Sequence, residues 1–421
     1  MKKIKVGVFG AGRGADIAKN FMLLKDCEVV ALCDFSRTRL EKGIKKLGKD
    51  IATYESFDEF INHDMDAVIL ANYFHEHAPF AIRCFEKGLH VFSECISNGT
   101  MAEGVELIRA HEKYPNSIYF LAENYPQMLF NREIKKVYDN GSLGKFMYAE
   151  AEYNHPWNTS LSDEEAVNFA NTYIYSREHW RNFLPISYYI THSLGPVMHA
   201  SGATPKTVTA FPIYAPIEGD HPSISYVGDS AAIITTQNDD GSIFRVTGSA
   251  KFGAHHISTR LCGTKGQIEN VRGMENQVML RYNAWDIPEG LEENNLYEPE
   301  WNDADEELIK ASGHGGGDFV TARMFLECIR ENRQPEHPFD IHSAVTMSST
   351  AILSYRSILD GGKPYQIPDF KTEEARKEYE NDRQTPFYGS DGSKPNIVCC
   401  SNPDYKPTDE QIEKFMSMIK E

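Results

Sequence analysis

Ile4-Lys5-Val6-Gly7-Val8-Phe9-Gly10-Ala11-Gly12-Arg13-Gly14-Ala15 decides the fold. Ile4–Phe9 is a short apolar run that reads as a β-strand, and it leads directly into a GxGxxA turn. In a strand–turn–helix unit Gly10 permits the tight turn. Gly12 lets the backbone approach a pyrophosphate, and small residues from Gly14 onward let helix and strand pack closely. The helix that follows presents free N–H groups and a positive dipole end to phosphates. Asp34 ends a second apolar run, Glu28–Cys33, 20 residues after Gly14, where an acid binds ribose hydroxyls. Strand, glycine turn, helix, strand and acid together predict a bound dinucleotide. The carboxylate favours NAD, because it would repel a 2′-phosphate. Arg37 and Arg39 keep NADP open, although both read as a solvated first helical turn.

Working outward, apolar runs alternate with amphipathic stretches over the first 120 or so residues. Ala67–Ala71, His90–Ser93 and Ile118–Ala122 read as strands; Ile17–Lys25, Arg37–Leu47, Pro79–Lys87 and Ala102–Lys113 read as helices. That alternation predicts an α/β Rossmann domain with a parallel sheet over residues 1–125. Past residue 145 the pattern changes. Lys145–Tyr153, Lys206–Phe211, Ser230–Gln237, Ser242–Ala250, Ser258–Gly263 and Gln267–Asn270 are strand-like, with turn signals such as Asn238-Asp239-Asp240-Gly241 between them. They predict a C-terminal α/β domain over 126–370 with a large open, mainly antiparallel sheet. Helices near Asp318–Glu331 and His342–Leu359 should pack on it. An outer apolar face at Ala231–Thr235 and Ile243–Val246 predicts a homodimer or homotetramer. Residues 371–421 are polar, contain four prolines, and read as a tail wrapped on the body or on a neighbouring subunit.

Composition excludes several function classes. The net charge of −18 opposes binding to nucleic acid or to anionic membranes. No apolar run approaches the roughly 20 residues that span a bilayer. Eight cysteines without a CxxC pair suit free thiols in a reducing cytoplasm. His75, His77 and the pair His255-His256 lack a carboxylate or cysteine at ligand spacing, so no metal is expected.

The glycine turn, Asp34, the loop Asn72-Tyr73-Phe74-His75-Glu76-His77 and the segment Gly88–Ile96 resemble the Gfo/Idh/MocA oxidoreductases. Most of these are NAD(P)-dependent sugar or polyol dehydrogenases. The resemblance covers about residues 3–370 and implies cofactor contacts from Asn72, Phe74, His75, His77, Glu94, Cys95, Asn124 and Trp180, beside Gly10, Gly12, Arg13, Gly14 and Asp34. Such dehydrogenases carry Glu-Lys-Pro where this chain has Glu94-Cys95-Ile96, and that Lys assists proton transfer. A thiol, with an ordinary pKa of roughly 8.5, cannot replace an ammonium. Cys95 reads as a small buried residue lining the site. A subgroup with the same departure, the NAD-dependent glycoside hydrolases of family 109, is similar at Glu123-Asn124, Tyr153-Asn154-His155, Trp180-Arg181, Tyr189–Pro196, Gly313–Phe319 and Gly362–Phe370. Ile190 departs from that subgroup's Tyr-Pro-Thr-His segment, and the stretch between Arg181 and Tyr189 is shorter.

Tyr189 and His192 lie three apart at the expected start of a helix, a spacing that places both on one face. A phenol and an imidazole can relay a proton from a hydroxyl while a hydride leaves its carbon. What the subgroup resemblance implies is a redox-assisted elimination: oxidation at the sugar C3, loss of the C2 proton and the aglycone, addition of water, and re-reduction with NAD retained. His192 and Tyr189 would act at C3, with Tyr125 or Tyr297 as second base or acid. Tyr153, His155, Arg181 and His314 would bind the carbohydrate. Two other readings stand beside it. One is a sugar or polyol dehydrogenase that releases NADH, and the other is a non-catalytic sugar- or nucleotide-binding protein. The missing lysine argues against the first; Tyr189, His192 and Arg181 argue against the second.

Overall fold

A computed structural model describes residues 2–48, 50–158, 160–216 and 224–419. In its first layer β1 (Ile4–Phe9), β2 (Cys27–Cys33), β3 (Ala52–Tyr54), β4 (Ala67–Leu70), β5 (His90–Ser93) and β6 (Tyr119–Leu121) pair in the order β3-β2-β1-β4-β5-β6, all parallel. Helices α1 (Arg13–Met22), α2 (Arg37–Leu47), α3 (Phe57–Phe60), α4 (His77–Glu86) and α5 (Met101–Lys113) connect them. Because helices cover both faces, β4 and β6 are buried at every position, which is why they read as unbroken apolar runs. The order reverses between β1 and β4, so a crevice opens at the C-terminal ends of these strands. Helix α1 starts at Arg13, four residues before the expected Ile17, since the glycine turn rather than the first apolar residue begins it. The short elements β3 and α3 carry too little periodicity to be foreseen.

The second layer holds β7 (Phe146–Asn154), β8 (Pro205–Tyr214), β9 (Asp229–Asn238), β10 (Ile243–Thr247), β11 (His256–Gly263), β12 (Gly266–Val271), β13 (Met274–Tyr282), β14 (Asn294–Tyr297) and β15 (Tyr365–Gln366). They form a nine-stranded sheet in the order β14-β13-β12-β11-β7-β10-β9-β8-β15. Only β10 and β7 pair in parallel among its described pairings. The sheet is therefore mixed and mainly antiparallel, as expected, with β13 to β15 added to the strands read from sequence. Helices α6 (Leu129–Asp139), α7 (Asp163–Phe169), α8 (Thr191–Ser201), α9 (Glu306–Ala311), α10 (Gly317–Glu331) and α11 (Ile341–Leu359) follow in the chain; α8 and α11 pack on this sheet, whereas α10, expected to do the same, lays its apolar side chains against α1 and the first layer instead. Ala232, Ile234, Phe244 and Val246 are buried on the inner face, where α8 and α11 lie. Along the stretches expected to form an apolar outer face, Ile233, Thr235 and Ile243 are half-buried and Arg245 is exposed beside Glu150. Exposed apolar side chains of this sheet sit instead at Met147 on β7, Phe211 and Ile213 on β8, and Leu296 on β14.

Two contacts lock the halves together. Phe325 of α10 packs against Phe21, Phe92 and Phe120 of the first layer. The described part of the tail, 371–419, runs back over α5. Within it α12 (Glu373–Lys377) buries Arg376, which pairs with Glu112, and Arg109 of α5 pairs with Glu380. Arg356 of α11 holds Asp382, whose carbonyl accepts from Ala102 N–H. Further on, Phe387 stacks on His75, and α13 (Asp409–Met418) closes the chain against the segment around Ile174.

Candidate active site

The glycine turn lies at the crevice, at the end of β1. Gly10 has φ +103°, and a Cβ there would meet the Ala71 carbonyl at 2.1 Å, so only glycine fits. A Cβ on Gly14 would meet Val8 at 2.7 Å, which shows how closely α1 lies on β1. A Cβ on Gly12 would meet only the end of a long side chain, Arg39 Nη1, at 3.4 Å, so no backbone closes over this position. No side chain caps α1, and its first N–H groups remain free for an anion. Asp34 sits beside the turn, accepting from Ala11 N–H at 2.8 Å and Ser36 N–H at 2.9 Å. Arg37 is exposed as expected. Arg39 is not: its guanidinium lies 3.8 Å over the Tyr175 ring and donates to the Thr172 carbonyl. At the other end of the crevice, Asn72 Oδ1 and Asn124 Oδ1 are buried without a partner among the described residues. Free helix N–H groups, an open glycine backbone, a ribose-side carboxylate and orphaned amide oxygens fit a dinucleotide.

Several expected cofactor residues turn out to brace the crevice. Arg13 does not aim its guanidinium at a phosphate; it spans Glu94 (2.8 Å) and Asp318 (2.6 Å). His75 donates to the Tyr388 carbonyl in the tail, and burial pushes it down to about 3. His77 donates to the Ile96 carbonyl at 2.8 Å, so it pins the loop that carries Cys95. Phe74 stacks at 4.9 Å on Trp180, whose ring also lies 4.3 Å from the Arg181 guanidinium.

The chemistry gathers beside Cys95. Glu123 follows β6 and is 0% exposed, and His192 Nδ1 donates to its carboxylate at 3.0 Å. Burial would raise the Glu123 carboxyl, but the charge and hydrogen bond of His192, with bonds from Cys95 and Thr191, hold it below its ordinary range. A carboxylate only accepts, so the proton of neutral His192 sits on Nδ1 and Nε2 keeps its lone pair. The His192 side chain is 16% exposed, enough to reach the crevice. Gly195 is required one turn along α8, since a Cβ there would meet Glu123 Cγ at 2.7 Å. Cys95 Sγ donates to Glu123 at 3.3 Å, and burial together with Glu123 and Glu94 pushes the thiol well up. It stays neutral, in agreement with its reading as a small lining residue.

Tyrosines wall the imidazole. Tyr125 stacks on His192 at 4.3 Å; Tyr153 and Tyr189 meet it edge-on at 5.0 Å each. Tyr189 lies in a 3-10 turn just before α8 rather than on the helix, yet its ring still meets His192. Burial pushes all three phenols up, so they remain protonated donors. Tyr153 lies parallel to His155 at 5.9 Å, and His155 Nδ1 is 3.2 Å from His255. Arg181 is exposed beside this wall. His314 also meets Tyr125, at 5.8 Å, and donates from Nδ1 to Asp318 at 3.0 Å. Tyr297 is not brought here: it sits on β14 and donates to Glu133 of α6 at 2.8 Å.

Two carboxylates central to the site, Glu123 and Asp318, had no assigned role from sequence. Signals for both existed. An acid directly after a buried parallel strand faces the crevice, and Asp318 stands four residues after His314 at helix spacing. Among the described residues no group of three or more His, Cys, Asp or Glu side chains gathers as a metal site, and no helix is long and apolar enough to cross a membrane.

Residues 4–120 match the oxidoreductase family with the NAD-binding Rossmann fold, and residues 225–377 match the C-terminal domain of glycosyl hydrolase 109. A glycosyl hydrolase family 109 protein of Solibacter usitatus (strain Ellin6076) is 24% identical over 412 residues, covering 87% of this chain and 88% of that protein. Glycosyl hydrolase family 109 protein 2 of Shewanella sp. (strain MR-4) is 23% identical over 399 residues, covering 88% and 86%. Levoglucosan dehydrogenase, solved with NADH and L-sorbose, aligns with a TM-score of 0.69 at 15% identity over 87% of this chain and 100% of that one. Myo-inositol 2-dehydrogenase from Lactobacillus plantarum aligns with a TM-score of 0.60 at 19% identity, over 87% and 100%. The solved structures share the fold with this chain.

Proposed function

The chain joins the NAD-binding Rossmann fold of the oxidoreductase family to the C-terminal domain of glycosyl hydrolase 109, and from that premise we propose a glycosidase that oxidises its sugar transiently and keeps its NAD. The observation that carries this reading is the buried Glu123–His192 pair beside Cys95, a base of its own where a dehydrogenase lysine would stand. Gly10, Gly12, the α1 N-terminus and Asp34 would hold the dinucleotide, with Asn72 and Asn124 further along the crevice; when bound, NAD would supply a reversible hydride acceptor for the sugar C3. His192 Nε2 takes the C3 hydroxyl proton, and Glu123 stabilises the imidazolium that forms. Once His192 has lost that proton to solvent, it removes the C2 proton, which the C3 ketone makes acidic. Tyr125, Tyr153 and Tyr189, held neutral by burial, donate to the C3 oxygen as negative charge develops on it. Arg181 and His155 bind outlying hydroxyls.

The same reading places residues 1–125 as the nucleotide domain, 126–370 as the substrate domain and 371–421 as the tail. It includes a cytoplasmic location and a homo-oligomer that covers Phe211 and Ile213. Light scattering at micromolar concentration checks the oligomer against a 47.7 kDa monomer. The activity test is a panel of aryl glycosides with catalytic NAD. The expected result is phenol release without net NADH. NADH that accumulates one for one with oxidised free sugar would make the protein a dehydrogenase instead.

A further inference from the structure

The site contains a second imidazole–carboxylate pair. Tyr125 meets both imidazoles, His192 at 4.3 Å and His314 at 5.8 Å, each paired with its own carboxylate, Glu123 and Asp318. Three observations set His314 apart from a packed histidine. Its side chain is 39% exposed, while Asp318 beneath it is buried. Asp318 is gripped from behind by Arg13 at 2.6 Å and Asn124 at 2.6 Å, so it is fixed before His314 binds it. Last, the turn is built to present this ring. His314 takes φ +52° between glycines, an uncommon conformation for a residue with a Cβ. A Cβ on Gly313 would meet the Asp318 carboxylate at 2.7 Å, and one on Gly317 the Asn124 carbonyl at 2.3 Å. Burial would raise Asp318, yet His314 and Arg13 hold it far below the carboxylate range, so it stays an anionic acceptor for His314 Nδ1.

A groove of about 790 Å³ adjoins the turn at Gly315, lined among others by Met128, Trp301, Asn302, Glu298, Glu300 and Lys310.

We propose that His314 is the general acid and base for the aglycone side of the reaction, with Asp318 as its positioning residue. This rests on the elimination reading above. As His192 takes the C2 proton, the C2 electron pair forms the C1–C2 double bond and the C1–O bond breaks. The departing oxygen receives the proton from His314 Nε2. In the second half, neutral His314 takes a proton from water as its oxygen bonds to C1, and His192 returns a proton to C2. Electrons and protons balance within the sugar, water and the two imidazoles.

The experiment compares His314→Gln, and His314→Asn as a second variant, with wild type on two glycosides of one sugar. One carries a nitrophenyl aglycone, which leaves without a proton, and the other a simple alkyl aglycone, which needs one. The ratio of the two rates within one variant does not depend on how much of that variant is folded. The expected outcome is a loss of about 10²–10⁴-fold on the alkyl glycoside and less than about tenfold on the nitrophenyl glycoside. Exchange of the C2 hydrogen with heavy water should persist in both variants. Equal losses on both substrates, or no loss on either, would overturn the assignment of His314 alone. A wild-type enzyme that cleaves neither glycoside and exchanges no C2 hydrogen would overturn the elimination reading, and this one with it.

Discussion

The nucleotide turn and the proton-transfer cluster are both built at strand ends, but in opposite ways. The turn takes all its parts from one stretch, Gly10 to Asp34, where β1, α1 and β2 follow in order. The cluster takes Cys95, Glu123, Tyr125, Tyr153, Tyr189, His192, His314 and Asp318 from five separate segments of both halves. A local motif is backbone geometry: glycines where a Cβ would collide, and free N–H groups at a helix start. The cluster depends on tertiary packing, since neither Glu123 nor His192 has a role until α8 is laid beside the end of β6. The two regions meet at Arg13, which begins α1 and reaches Asp318 in the other half.

Substitutions should separate the two regions cleanly, and any that affects both would break the contrast. The largest effect is expected for His192→Ala, which should lower turnover by about 10²–10⁴-fold, the scale of one general acid–base group. Calorimetric titration of NAD into that variant should show unchanged affinity. Asp34→Ala should do the reverse. Loss of charged hydrogen bonds worth about 1.5–3 kcal/mol weakens NAD by about 10- to 150-fold, while turnover at saturating NAD stays near wild type. Unchanged affinity would remove Asp34 from the site. Glu123→Gln retains the shape but loses the charge that stabilises the His192 imidazolium. It should lower turnover by about 10- to 100-fold, on the scale of one charge-assisted hydrogen bond, and shift the acidic limb of the pH–rate profile. The smallest change is expected for Cys95→Ala. Its neutral thiol is a packing group, so turnover should barely move, and a large loss would show that the thiol takes part.

The same contrast explains what could be read from the chain. Gly10, Gly12, Gly14 and Asp34 were legible because their spacing is itself the structure. Tyr189 and His192 were legible as a pair, though a 3-10 turn rather than one helix face brings them together. Glu123 and Asp318 were quoted as parts of family-like segments without a role, because a carboxylate's task depends on the imidazole across the crevice. The bracing contacts of His75, His77, Arg13 and Trp180 are not readable from spacing, because their partners, Tyr388, Ile96, Asp318 and Phe74, lie far off in sequence or in another loop. Tyr297 failed for the same reason: β14 pairs at the far edge of the sheet and leaves its hydroxyl to Glu133.

The decisive step is removal of the C2 hydrogen by His192 from a sugar held transiently at the ketone level. It is tested by turnover of an aryl glycoside in heavy water with catalytic NAD, followed by mass and NMR analysis of the released sugar. One solvent deuterium at C2, none at C3, and no net NADH are expected. Sugar released without label at C2, or a ketone product formed together with stoichiometric NADH, would contradict it.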